Sequence, residues 1–261
     1  MQKKVLITGA GSGIGKEFVK LFLADGSHVL GVSLLDEELT QLVAELDPAG
    51  KSLQTLQLDV SLPEAAETMM KWCTENDWMP DVVINNAGFA CFGDAVDLSP
   101  ERVSSMLALN VVSLTSSSMI FGKMMKERRS GAILNVGSTA GMIPSVRMAS
   151  YGGSKSYVNT FTYALAAELK PFGVSVTCLT PGATQTKFAE AGGIDTFTGK
   201  SLLHNMFEKK KAGSPATVAK AGYDAIARKR RQALVGKGST FAAILSRAVS
   251  QKRLPNLIKN P

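Results

Sequence analysis

Tyr151 and Lys155 stand four residues apart in Tyr151-Gly152-Gly153-Ser154-Lys155, and Ser138 lies 13 positions before the tyrosine. Four residues are about one helical turn, so phenol and ammonium project from one face of a helix. Ser138 follows the apolar run Ala132-Ile133-Leu134-Asn135-Val136, which reads as a buried strand. A serine at the end of such a strand can meet the helical pair at the carboxyl edge of a sheet. The chemistry this allows is proton transfer: free tyrosine titrates near ~10, and a neighbouring positive charge favours its anion. Tyr-x-x-x-Lys is common on solvated helices, so its weight depends on the elements that position it.

The first of those elements is at the other end of the chain. Val5-Leu6-Ile7-Thr8 runs into Gly9-Ala10-Gly11-Ser12-Gly13-Ile14-Gly15, and Phe18, Val19, Phe22 and Leu23 follow at helical spacing. The glycines allow a tight turn and let a pyrophosphate approach the backbone, where the helix offers free N–H groups and a positive dipole end. A plain strand–helix turn would need none of this. The context a phosphate cradle requires is present: strand before, helix after, and a second strand at His28-Val29-Leu30-Gly31-Val32.

The glycines are spaced Thr-Gly-x-x-x-Gly-x-Gly, and here the chain resembles the short-chain dehydrogenase/reductase family. The resemblance continues in order. Asp59-Val60 follows the third strand, Asn85-Asn86-Ala87-Gly88 the fourth, and Asn110 lies in the next helix. Ser138, Tyr151 and Lys155 come next, then Pro181-Gly182 with Thr184 and Thr186. It implies hydride transfer between a nicotinamide and a carbonyl or alcohol carbon, with the protein supplying position and proton traffic. Tyr151 is then the general acid of reduction. Lys155 binds the nicotinamide ribose and holds the tyrosine pKa down, Ser138 binds the substrate oxygen, and Asn110 supports a water chain to Lys155. Gly9, Ser12, Ile14 and Gly15 are implied to line the phosphates, Asp59 and Val60 the adenine, and Asn86, Ala87 and Gly88 the adenosine ribose. Tyr151, Lys155, Pro181, Gly182, Thr184 and Thr186 complete the cofactor set. Asn85 reads equally as a tie between strands. Gly153 replaces the family's usual alanine, which raises the conformational cost of the helix start without removing a catalytic group. A dinucleotide-binding sensor or scaffold without turnover is the alternative, and it has no need of the tyrosine.

Cofactor choice turns on the end of the second strand. A carboxylate about 20 residues past the glycines would bind a ribose 2′-hydroxyl. That position is Ser33, followed by Leu34 and Leu35, while Asp36, Glu37 and Glu38 read as the acidic first turn of a helix. With no acid at the expected place the reading leans to NADP, with NAD the alternative, although no arginine marks a 2′-phosphate site either.

Strands are expected near 3–8, 28–33, 53–58, 81–85, 132–137, 173–179 and 232–235, and helices near 13–25, 36–46, 63–77, 101–129, 149–170 and 216–230. Continuous Val/Ile/Leu runs indicate an α/β fold: a doubly wound, Rossmann-type parallel sheet of seven strands with helices on both faces. The 261 residues, 45% apolar, suit one domain over 1–261. Residues 184–211 form an insertion at the carboxyl edge, which the resemblance implies is a substrate lid. Phe89, Ala90, Cys91, Phe92, Met142, Ile143 and Phe188 are placed to line an apolar pocket or the core beside it, which favours an apolar carbonyl substrate.

Three scattered cysteines and two histidines give neither a disulfide framework nor a metal site. No apolar segment of membrane-spanning length or leader-like h-region is read, so the cytoplasm is the expected compartment. The helices at 101–129 and 149–170 carry more apolar surface than one sheet face covers, and the resemblance implies a homodimer or homotetramer built on them. Residues 200–261 carry 14 Lys/Arg against Glu208 and Asp224, a net of +12, on a chain of net +7. Residues 239–261 read as a basic amphipathic extension that packs on the lid or a second subunit, or that attaches to an anionic membrane surface. No aromatic residues interleave with the basic clusters, so nucleic acid is not an expected partner.

Overall fold

The computed structural model describes residues 2–185, 188 and 213–236. Seven strands form one parallel sheet in the order β3-β2-β1-β4-β5-β6-β7. They are β1 (Lys4–Thr8), β2 (His28–Ser33), β3 (Leu53–Gln57), β4 (Val82–Asn85), β5 (Gly131–Val136), β6 (Val174–Pro181) and β7 (Gln232–Val235). The helices between them are α1 (Gly13–Ala24), α2 (Asp36–Leu46), α3 (Ala65–Glu75), α4 (Pro100–Leu107), α5 (Leu114–Arg128), α6 (Ala149–Leu169) and α7 (Pro215–Ala227).

The central strands β1, β4 and β5 are almost wholly apolar and buried because both faces are covered, whereas the edge strands β3 and β7 are only partly buried. Alternate residues of β1 point opposite ways. Val5 and Ile7 join Phe18, Val19 and Phe22 of α1 and Val218, Ala219 and Ile226 of α7. Leu6 joins Met69 of α3, Phe121 and Met125 of α5, and Leu165 and Leu169 of α6. A third apolar cluster, Ala90, Cys91, Phe92, Met106, Met148 and Tyr151, sits apart from these two.

From β1 the chain winds outward through β2 and β3, then returns to place β4 on the other side of β1. The direction of winding therefore reverses between β1 and β4, and open α/β sheets bind ligands at the carboxyl ends of the strands flanking such a switch point. Every described candidate residue in the loops after β1 to β6 falls on that edge.

The helix expected over 101–129 runs continuously from Pro100 to Arg128, but with one π-helical turn over Ala108–Ser113. Its start is fixed by Ser99, whose hydroxyl accepts from the Arg102 N–H, with Pro100 at the first helical position. Its end is Arg129 in the left-handed region. Although the sequence reading finds no membrane-length segment, this helix is long and apolar enough to cross one. Only 28% of its apolar window is buried in the chain. Thr184 and Gly213 form a parallel bridge, and Gln185 N–H donates to the Gly213 carbonyl at 2.9 Å. The segment expected as a lid thus leaves and returns at one point of the carboxyl edge. Thr186, most of 184–211 and all of 239–261 lie outside the described residues.

Candidate active site

The glycine-rich turn is built against β4. Gly9 takes a positive φ of 64°, and Asn86 Nδ2 donates to the Thr8 and Gly9 carbonyls at 2.9 and 3.1 Å. The Asn86 and Ala87 N–H groups donate to Thr8 Oγ1, each at 3.1 Å. A Cβ on Gly15 would collide with the Gly9 carbonyl and lie 2.7 Å from Asn86 Nδ2, so the first turn of α1 can close on β1 only through glycine. Ser12 caps α1 in extended geometry with no side-chain cap bond, and the first turn of the helix carries no acid. Bare N–H groups and a free hydroxyl at a helix start with no acid in its first turn are the donor set a pyrophosphate needs, so Gly9, Ser12, Ile14 and Gly15 fit the group. Asn86 and Ala87 are first of all the struts of that turn.

Asp59 Oδ1 accepts from the Ser61 N–H and hydroxyl at 2.9 and 2.6 Å, which fixes the loop after β3, and Val60 beside it is buried. Gly182 N–H donates to the Val235 carbonyl at 2.8 Å and Thr184 Oγ1 to the Gly182 carbonyl at 3.0 Å, fixing the turn after β6. Asn85 is a tie between strands. It lies opposite Asn135 in the β4–β5 register and donates to its Oδ1 at 2.8 Å, while Ser117 donates to Asn85 Oδ1 at 2.7 Å.

Asn110 is fully buried within the π-helical turn. Its Oδ1 accepts from the Phe89 N–H at 3.1 Å, and its Nδ2 donates to the Phe89 carbonyl at 2.9 Å and to Ser154 Oγ at 3.3 Å. The amide thus clamps the segment after Gly88 to the helix that carries Tyr151 and Lys155. These bonds make the Asn110 side chain a positioning group. The extra residue of the π-turn sits at the point where this inward-facing amide is held.

Ser138, Tyr151 and Lys155 converge as the spacing predicts, at 8%, 6% and 4% exposure. Ser138 Oγ accepts from the Ala140 N–H at 3.1 Å, and its carbonyl accepts from Asn159 Nδ2 at 3.1 Å. The tyrosine ring makes edge contacts with Phe92 at 5.8 Å and Phe188 at 5.5 Å between centroids. Lys155 Nζ donates to the Val136 carbonyl at 2.8 Å.

The expectation of a lowered tyrosine pKa is corrected here. Burial pushes the Tyr151 phenol up to about 12, against which the Ser138 hydrogen bond pulls down. Burial likewise pushes the Lys155 ammonium down to about 8, with the neighbouring Cys178 thiol opposing it. Desolvation of a nearly closed site is the first cause for both groups and sets both directions. The phenol is therefore a proton donor at neutral pH, and Lys155 titrates just above it.

The sequence reading missed Asn159, which orients Ser138 from α6, and Met148, which packs with Tyr151. Asn159 stands two turns beyond Tyr151 on the same helix, which was the available signal. It also missed Glu38 as part of this edge: Ser33 Oγ donates to Glu38 Oε2 at 3.0 Å.

A doubly wound parallel sheet with a glycine turn at its switch point defines a dinucleotide-binding α/β protein. The chain belongs to the short-chain dehydrogenase family, whose model, described as "short chain dehydrogenase", matches residues 3–194; its members are NAD(P)-dependent oxidoreductases. Among curated relatives, the "Probable oxidoreductase EphD" of Mycobacterium tuberculosis is 31% identical over 237 residues, 87% of this chain but only 40% of EphD. A solved short-chain dehydrogenase from Sphingobium yanoikuyae in complex with NADPH is 28% identical, with a TM-score of 0.79 over 94% of this chain and 93% of that one. A short-chain dehydrogenase/reductase from Burkholderia phymatum in complex with NAD has the same fold, with a TM-score of 0.83 at 23% identity over 100% of this chain and 96% of that one.

Proposed function

We propose that the protein transfers hydride between a nicotinamide dinucleotide and the carbonyl or alcohol carbon of an apolar substrate, with Tyr151 as general acid and base. The observation that carries this is the buried Tyr151 phenol, with buried Ser138 beside it, in an aromatic recess at the edge that also holds the glycine turn. The dinucleotide, when bound, supplies or takes up the hydride. In reduction Tyr151 gives its proton to the oxygen as the carbonyl carbon becomes tetrahedral. Ser138 Oγ donates to that same oxygen, and the Lys155 charge offsets the phenolate left behind. Asn110, through Phe89 and Ser154, keeps the two sides of the site in register. Phe92 and Phe188 frame the tyrosine, and half-buried Phe89, Met142 and Ile143 extend an apolar wall. A panel of apolar ketones and polyols, followed by nicotinamide absorbance, is expected to give turnover with the ketones; turnover of the polyols alone would overturn the substrate class.

The apolar surface left on two helices supports self-association. Val112 and Met119 on the long helix are 53% and 61% exposed, and Tyr157 on α6 is 43% exposed. Tyr157 stacks on Phe161 and its hydroxyl accepts from Thr115 Oγ1 at 3.2 Å, so the two helices present one joined face. A patch of this kind needs a partner, and a second copy of the chain gives a homodimer or, with a further face, a homotetramer. Sedimentation velocity at micromolar concentration is expected to show the oligomer, and Met119→Asp to shift it toward monomer. A wild-type protein sedimenting only as monomer would refute the assembly. The described cysteines, all buried free thiols, suit a reducing compartment, and we place the protein in the cytoplasm.

A further inference from the structure

The residues around the carboxyl end of β2 bear on a choice the family membership leaves open, and the argument rests on the dinucleotide reading above. Ser33, where an adenosine-ribose carboxylate is expected, is not acidic. It is buried, and its hydroxyl holds Glu38 Oε2 at 3.0 Å. Glu38 belongs to the first turn of α2, five residues later, and is half-buried while its neighbours Asp36 and Glu37 are exposed.

The carboxylate also lies against the glycine turn. A Cβ built on Gly11 would collide with Glu38 Oε2 and stand 2.5 Å from Glu38 Cβ. The absence of a side chain at Gly11 thus lets the start of α2 approach the turn. The carboxylate is held between the end of β2 and the turn after β1, on the edge where the adenosine half of the cofactor would be read. No lysine or arginine occurs between Lys20 and Lys51, and Lys16 on α1 is paired with Glu45 at 2.6 Å.

We infer that Glu38, held by Ser33 and admitted by Gly11, selects the dinucleotide bearing a free ribose 2′-hydroxyl, so that the protein prefers NAD(H) to NADP(H). A carboxylate accepts a hydrogen bond from a hydroxyl and repels a phosphate dianion. Between Lys20 and Lys51 the chain supplies no cation to reverse that preference. Ser33 is the positioning residue: it fixes one carboxylate oxygen and leaves the other free to accept.

The test is fluorescence titration of the full chain with NADH and NADPH, with thermal shift by NAD+ and NADP+ as a readout independent of turnover. Wild-type protein is expected to bind NADH at least about tenfold tighter than NADPH, the scale of one charge-assisted hydrogen bond. Glu38→Gln, which keeps the size and removes the charge, is expected to narrow that ratio by about tenfold or more. Ser33→Ala is expected to narrow it less, since it frees the carboxylate without deleting it. Tighter NADPH binding by wild type, or a Glu38→Gln ratio equal to wild type, overturns the inference while leaving the oxidoreductase reading intact. Binding of neither dinucleotide overturns that reading and the inference with it.

Discussion

Replacing Tyr151 with Phe is expected to lower kcat/KM for carbonyl reduction by about 10²–10⁴, the range of general acid–base assistance, while dinucleotide affinity stays within a few-fold. The substitution is conservative in everything but the oxygen. The ring contacts with Phe92 and Phe188 remain, and the position stays buried, so thermal stability should stay near wild type. What is lost is the proton that must reach the substrate oxygen, together with the partner of the Ser138 hydroxyl. Initial rates paired with a fluorescence titration separate the two effects. Unchanged turnover would move the chemistry to another group, and a collapse of cofactor binding would make the phenol structural. If wild type and variant were both silent across a broad ketone and alcohol panel, a sensor or scaffold would be the better description.

The parts of this site that were legible in the sequence share a property: each depends on local spacing or on strand order. The central strands follow from apolar runs, the edge strand β3 (Leu53–Gln57) being the most polar of the seven, and helical period puts Tyr151 and Lys155 on one face. Strand alternation and the reversal between β1 and β4 bring Ser138 and the glycine turn to the same edge.

What was not legible depends on three-dimensional closure. The π-turn at Ala108–Ser113 has no compositional mark, because Asn110 reads as an ordinary helical residue until its amide is seen paired with Phe89. Glu38 looked like a helix-dipole residue, and it is one, but the turn of α2 also returns its carboxylate to Ser33. The direction of the Tyr151 shift could not be read from the Tyr-x-x-x-Lys spacing either. Spacing names the pair and says nothing of the desolvation that sets the direction.

Lys155→Met isolates that desolvation. Turnover should fall by about 10²–10⁴, as for the tyrosine, because no cation then offsets the phenolate. The sharper consequence is in stability. An ammonium with an ordinary value of 10.5, held near 8 by burial, is protonated more fully in the unfolded chain than in the native one between those two values. Stability from this group therefore rises with pH across the window from about 8 to 10.5 and is at its lowest below it. Tyr151 runs the other way. Raised from 10.0 to about 12, it contributes stability below pH 10 that is lost as pH rises toward 12, so the lysine acts first. Methionine cannot titrate. The Val136 carbonyl it leaves without Nζ adds an offset that does not vary with pH in this range. Between pH 7 and 10, the stability difference between wild type and Lys155→Met should therefore move in favour of wild type by up to about 3 kcal/mol. For a chain of this size that is several degrees in Tm. Denaturant or thermal unfolding of both proteins at a series of pH values measures it. A difference that stays flat across the window would mean that Lys155 keeps an ordinary ammonium and that the site is wetter than its burial indicates.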